Sequence, residues 1–215
     1  MHLSTSHARS LSQGTGACGF QVELCEHTGA QRALAERFIS DRFNRCFGAQ
    51  VKAFMPRLFS VMNDAGDVCA AFGLRSASHR LFLEQYLDLP IEHEINVRSG
   101  MPVQRLAIVE AGQFAGAFPG AVRTMITLLT EHLHREGSSW VVFTGTAPLR
   151  NAFTRLGLCP IDIRDADVAR LSDRETGAWG SYYAHQPRVV AGNIGQGYEA
   201  LQTRRHAAAA AGSHA

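Results

Sequence analysis

A chain of 215 residues is long enough for one large domain or two small ones. Its 46% hydrophobic and 19% charged content suits an ordinary globular protein, and a net charge of +2 gives no electrostatic case for nucleic acid. No apolar run approaches the ~18 residues of a membrane-spanning helix, and the opening "MHLSTSHARSLSQGTG" lacks the apolar core of a signal peptide. Five cysteines (Cys18, Cys25, Cys46, Cys69 and Cys159) are odd in number and have no CxxC spacing. They read as reduced, mostly buried thiols of a cytoplasmic protein.

Residues 1–18 read as a disordered lead. "GFQVELCEHTG" (19–29) alternates and ends in glycine, a first strand. In 30–48, Leu34, Phe38, Ile39, Phe43 and Phe47 recur at helical spacing and Gly48 closes the helix. Residues 56–77 are two apolar runs around "NDAGD", a hairpin signal. Residues 80–95 are mixed, with Pro90 interrupting them. "VQRLAIVEAG" (103–112) is a strand. The helix after it presents Val122, Met125, Ile126, Leu129 and Leu133 on one face and stops at Gly137. "SWVVFTGTA" (139–147) is a short buried strand and 148–158 a helix with proline in its first turn. Residues 159–175 read as an acidic loop, 180–194 as a last strand interrupted at Pro187, and a helix starts near Gly197. The end of the chain, 204–215, is low-complexity and reads as a disordered tail. The run 103–145 makes a parallel β-α-β unit, and the whole order matches the acyl-CoA N-acyltransferase fold.

Chemistry concentrates in two places. In 111–120, Gly112, Gly116 and Gly120 precede a helix with Arg123 in its first turn, so a phosphate or pantetheine could rest on the helix N–H groups. A packed turn with a solvated arginine is the plain alternative. "FLEQYLDLPIEHE" (82–94) sets Glu84, Gln85, Tyr86 and Asp88 in an apolar frame, while Glu92 and Glu94 read as solvated charge. Glu110 ends an apolar strand, where a carboxylate needs a partner if deeply buried. No metal-ligand spacing occurs.

Taken together, "AAFGLRSA", "LFLEQYLDLPIE", "IVEAGQFA", "GAVR", "WVVFTGTAPLRNAFTRLGL" and "WGSYY" resemble the thermostable haemolysin family from about Phe20 to Gly197. "GLRSA…LEQYLD…VQRLAIVEAGQFA" is also similar in layout to acyl-homoserine-lactone synthases. The resemblance implies an α/β fold over residues 19–203: a single N-acyltransferase-like domain with a central mixed, splayed sheet flanked by helices. Two departures stand out. The loop pattern Q/R-x-x-G-x-G/A meets Ala117, Gly120 and Val122 here, or Gln113, Gly116 and Phe118 if shifted upstream. The superfamily's general-acid tyrosine is Phe153.

The implied activity moves an acyl group from a thioester to the amine of a small acceptor. Acyl carrier protein or acyl-CoA brings the thioester as co-substrate, and no cofactor is held permanently. Glu110, Glu84 or Asp88 would take the proton; Gln85, Tyr86, Arg75 and Tyr182 would bind substrate; Gly112, Gln113, Gly120, Arg123 and Asn151 would hold the donor. The alternatives are an inactive version of the fold that binds a ligand or partner, and a membrane-active haemolysin-like protein.

Overall fold

In strand β2 (Gln21–His27) the side chains alternate between the two faces, and Val22, Leu24, Cys25 and His27 are buried. The computed structural model describes residues 9–15, 21–172 and 177–212. By contacts it divides into two compact units, each assembled from three chain segments; one of the divisions falls inside a strand, between Glu110 and Ala111.

The first unit holds the chain up to Arg75, with Ala111–Leu128 and the stretch that ends at Ser181. Here β1 (Arg9–Thr15), β2, β3 (Arg57–Asn63) and β4 (Val68–Ser76) pair antiparallel in sequence order. The β3–β4 turn closes as its residue types predict: Asn63 Oδ1 accepts from Ala65 N and Asp67 N. Helix α1 (Arg32–Phe47) buries Ala35, Ile39 and Phe43, one stripe at a four-residue interval, and packs on β3. Phe59 and Phe72 lie opposite each other on β3 and β4, their rings stacked at 5.1 Å. Gly73 is required: a Cβ there would stand 2.3 Å from Met55 Cβ, so only glycine lets residue 55 cross β4.

Strand β5 (Ile108–Gly116) passes from the second unit into the first. In the second unit its residues Ile108–Glu110 pair in parallel with Trp140–Val142 of β6 (Trp140–Gly145). β8 (Arg188–Asn193) lies antiparallel to both β6 and β7 (Ile161–Asp165). The strand order is β1-β2-β3-β4-β5-β6-β8-β7, a mixed sheet. Helices α2 (Ile91–Ser99), α3 (Pro119–Arg135), α4 (Ala147–Arg155) and α5 (Ile194–Gly212) complete the α/β fold that the order of elements implied.

Several boundaries differ from the sequence reading. Arg9–Thr15, placed in a disordered lead, form β1 by pairing with β2, and the rest of that lead lies outside the described residues. The mixed segment resolves into a 3₁₀ turn at Phe82–Tyr86 and α2, with Pro90 just ahead of the helix. β5 starts at Ile108 and runs through Gly112 to Gly116, so the turn ahead of α3 is much shorter than 111–120. The acidic stretch contains β7, and the final strand is only Arg188–Asn193. The low-complexity end is helical through Gly212, as a run of alanine favours. Of the described cysteines only Cys25 is buried; Cys69 is half-buried and Cys46 and Cys159 are exposed, which corrects the expectation of mostly buried thiols.

Candidate active site

Glu110 ends the β5–β6 pairing in the second unit and is 3% exposed. Its Oε2 accepts from Phe82 N and its Oε1 from Leu83 N, both at 2.9 Å. The first N–H groups of a helical turn have no partner within the turn, so a buried carboxylate satisfies them and its own need at once. Glu110 therefore holds the start of the 82–86 turn. Glu84 closes the same turn by accepting from Leu81 N at 3.0 Å and Ile91 N at 3.3 Å.

Arg105 locks this segment. It donates to both Glu84 oxygens (2.6 and 3.0 Å), to Glu92 at 2.7 Å, and to the carbonyls of Ala77 and His79. Burial raises the Glu84 carboxyl, but Arg105 and the Leu81 and Ile91 N–H groups outweigh it and hold the group below the usual carboxylate range. Glu94 pairs with Arg98 at 2.5 Å, and Arg98 reaches the Ile163 carbonyl of β7 at 2.8 Å. Glu92 and Glu94 are thus ion-paired supports of α2 rather than solvated charge. Asp88 is exposed and bridges Arg164 and Arg170, whose hydrogen bonds lower its pKa.

Three tyrosines of this unit, Tyr86, Tyr183 and Tyr182, form a chain of their own. Tyr86, 1% exposed, meets Tyr183 hydroxyl to hydroxyl at 2.5 Å. Tyr182 donates to the Thr144 carbonyl at 3.2 Å at the end of β6, and burial, with Tyr183 nearby, raises its phenol well above the ordinary value. Gln85 turns its amide back to the Phe82 carbonyl, and Asn151 is exposed on α4. Phe153, where the resemblance led to a tyrosine, is 4% exposed and stacks on Phe143 at 4.5 Å.

The remaining candidates belong to the first unit. Gln113 departs from strand geometry at φ 57°, a left-handed kink in the middle of β5. Its side chain fixes that kink by accepting from Met55 N at 3.0 Å and donating to the Ala53 carbonyl at 2.7 Å. A Cβ on Gly112 would stand 2.5 Å from Met55 Cε, so this glycine makes room for Met55. Gly120 and the exposed Arg123 lie at the start of α3, and Arg75 is half-buried on β4.

The structure thus gathers Glu84, Gln85, Tyr86 and Glu110 around one turn, and Gly112, Gln113, Gly120 and Arg123 along one strand-turn-helix. Sequence reasoning missed Arg105, Arg164 and Arg170. Each meets its carboxylate through no local spacing rule: Arg105 lies 21 residues from Glu84, and Arg170 lies 82 from Asp88.

A sequence profile described as thermostable hemolysin matches residues 25–198. No curated protein matches the chain. Among solved structures, FeeM, an N-acyl amino acid synthase from uncultured soil microbes, superposes with a TM-score of 0.55 at 11% identity, over 82% of this chain and 92% of that one. The AHL synthase LasI gives 0.53 at 11% identity, over 80% and 89%. A GNAT-family acetyltransferase from Listeria monocytogenes 4b F2365 gives 0.52 at 9% identity, over 85% and 99%. At these identities the likeness is one of fold.

Proposed function

The chain belongs to the thermostable hemolysin family, and from that premise we propose that it moves an acyl group from a thioester to the amine of a small acceptor. The observation that carries this reading is β5, kinked at Gln113 by a left-handed φ of 57° and followed within three residues by α3. A left-handed residue turns a peptide group out of the strand ladder, so its N–H can polarise a thioester carbonyl. The first turn of α3, with Gly120 and Arg123, would take the phosphate of the donor. Support also comes from the fold-level neighbours named as an N-acyl amino acid synthase, an AHL synthase and an acetyltransferase.

In the step itself the neutral amine attacks the thioester carbon, a C–N bond forms, the C–S bond breaks, and the thiol leaves with a proton. Glu110 and Glu84 position the 82–86 turn in this scheme rather than acting as the base, because backbone N–H groups and Arg105 already occupy their oxygens. The amine's proton goes to water, and water returns one to the departing thiolate. Gln85, Tyr86 and Tyr182 are the proposed acceptor contacts. The donor is acyl carrier protein or coenzyme A, and the cytoplasm, where such thioesters are made, is the proposed place of action. No helix among the described residues is long and apolar enough to cross a membrane. The amphipathic face of α1 covers β3, which weighs against a membrane-active role for it.

Donor recognition has a direct test. Arg123→Ala should raise KM for an acyl-CoA about ten-fold, the effect of losing one charge-assisted contact of ~1.4 kcal/mol. It should leave turnover of a short thioester without phosphate unchanged. An equal loss on both donors would remove Arg123 from phosphate binding. The engaged carboxylates favour one second reading, an inactive binder of thioesters; it requires that donors bind with no thiol release.

A further inference from the structure

The second unit contains a half-open cavity of about 210 Å³, walled by Val141, Phe153, Leu158 and Ile194. Cys159, between α4 and β7, and Gln196, at the start of α5, also stand among its lining residues. Thr130 and Asn193 line it as well, so the hollow combines apolar walls with uncharged polar groups, and its lining residues carry no formal charge. By the measure of an engineered cavity of about 150 Å³ that takes benzene, about 210 Å³ takes roughly eight carbon atoms.

What stands over the cavity gives the other half of the chemistry. Gly157 lines it at φ 78°, and a Cβ there would meet Arg204 Cδ at 3.5 Å and Nη1 at 3.7 Å. Ala200, four residues before Arg204 on α5, lines the same wall, so one face of the helix supplies both apolar contact and cation. Neighbouring Arg205 is paired with Glu131, whereas Arg204 has no carboxylate partner among the described residues. An exposed guanidinium with a free fork beside an uncharged hollow walled in part by Val141, Phe153, Leu158 and Ile194 suits a carboxylate that carries a short chain.

We infer that this cavity binds a short aliphatic carboxylate, its chain against Val141, Phe153 and Leu158 and its head on Arg204. The ligand class follows from the walls and the cation alone, so the site stands whether or not the protein transfers acyl groups.

The test uses Cys159 as reporter and Cys46, also exposed but in the first unit, as internal control. The full chain is treated with a bulky maleimide with and without octanoate, and labelling at each cysteine is followed by peptide mass analysis. Saturating octanoate should slow labelling of Cys159 at least ten-fold and leave Cys46 unchanged. Ala200→Leu, which fills the hollow, should abolish the protection. Arg204→Gln, a surface change that leaves the core intact, should raise the octanoate concentration for half-protection about ten-fold and leave protection by octanol unchanged. Equal labelling of Cys159 with and without octanoate would overturn the proposal. So would protection that survives in Ala200→Leu, or octanoate protection unaffected by Arg204→Gln.

Discussion

Glu110 illustrates how far one residue can be read from its surroundings in sequence. Its place at the end of an apolar run marks a carboxylate that needs a partner once buried, but those partners are N–H groups 27 and 28 residues earlier. Nothing local points to them. Glu110→Gln puts an amide NH₂ against one of two N–H donors, so the folded state should lose about 1–3 kcal/mol. Urea melts check this. Turnover of the folded fraction should stay within several-fold, whereas a general base would lose ~10²–10⁴-fold. His27 makes a second prediction. It is 3% exposed, its Nε2 lies 2.5 Å from Ser60 Oγ, and burial lowers its pKa from the ordinary 6.5. The unfolded chain therefore binds a proton below that value which the folded chain refuses. The contribution is complete above pH 6.5 and is lost as pH falls through the lowered folded value. Urea melts between pH 7.5 and 5 should show that decline, and His27→Gln should flatten it; an unchanged slope would contradict the assignment. Glu84 titrates lower, so its loss falls below this window.

At the level of elements, long periodic segments were legible and short connecting ones were not. Helix α1 and the β3–β4 hairpin follow from apolar spacing and turn residues, because their own side chains decide them. The 82–105 segment does not, because Arg105 ties it together through carbonyls and carboxylates scattered along it. Arg105→Met should leave Glu84 without its cation. Allowing for the partial exposure of Arg105, the loss is about 2–3 kcal/mol. Hydrogen exchange should rise in 82–99 more than elsewhere; uniform change across the chain would contradict a local lock. The kink in β5 was equally invisible, since glutamine at φ 57° is uncommon. Gln113→Ala keeps the strained backbone and loses both side-chain hydrogen bonds, whereas Gln113→Gly relieves the strain. The glycine variant should therefore be the more stable by about 1 kcal/mol, measured by chemical denaturation. Equal stabilities would mean that the backbone there is not strained.

Across the whole molecule, the sequence of strands and helices sufficed for the fold class, while both ends of the sheet escaped it. β1 and β7 end the strand order. "RSLSQGT" and "IDIRD" are short and polar, as edge strands are, so their pairing is decided by β2 and β8 rather than by their own pattern. Candidate carboxylates were legible as residue types in apolar frames, but their roles depended on partners distant in sequence. The phosphate-loop departure and Phe153 are likewise visible in sequence, and they leave β5 and the start of α3 as the elements on which the proposed acyl transfer rests. The most direct measurement is of transfer itself. The purified full chain is incubated with a panel of acyl carrier protein and coenzyme A thioesters plus a mixture of small amines. Intact mass follows the carrier, and a thiol reagent follows the freed thiol. The account predicts thiol release that requires both protein and amine, with a matching gain of the acyl mass on one amine. Thioester binding without any amine-dependent release, across both donor classes, would contradict it.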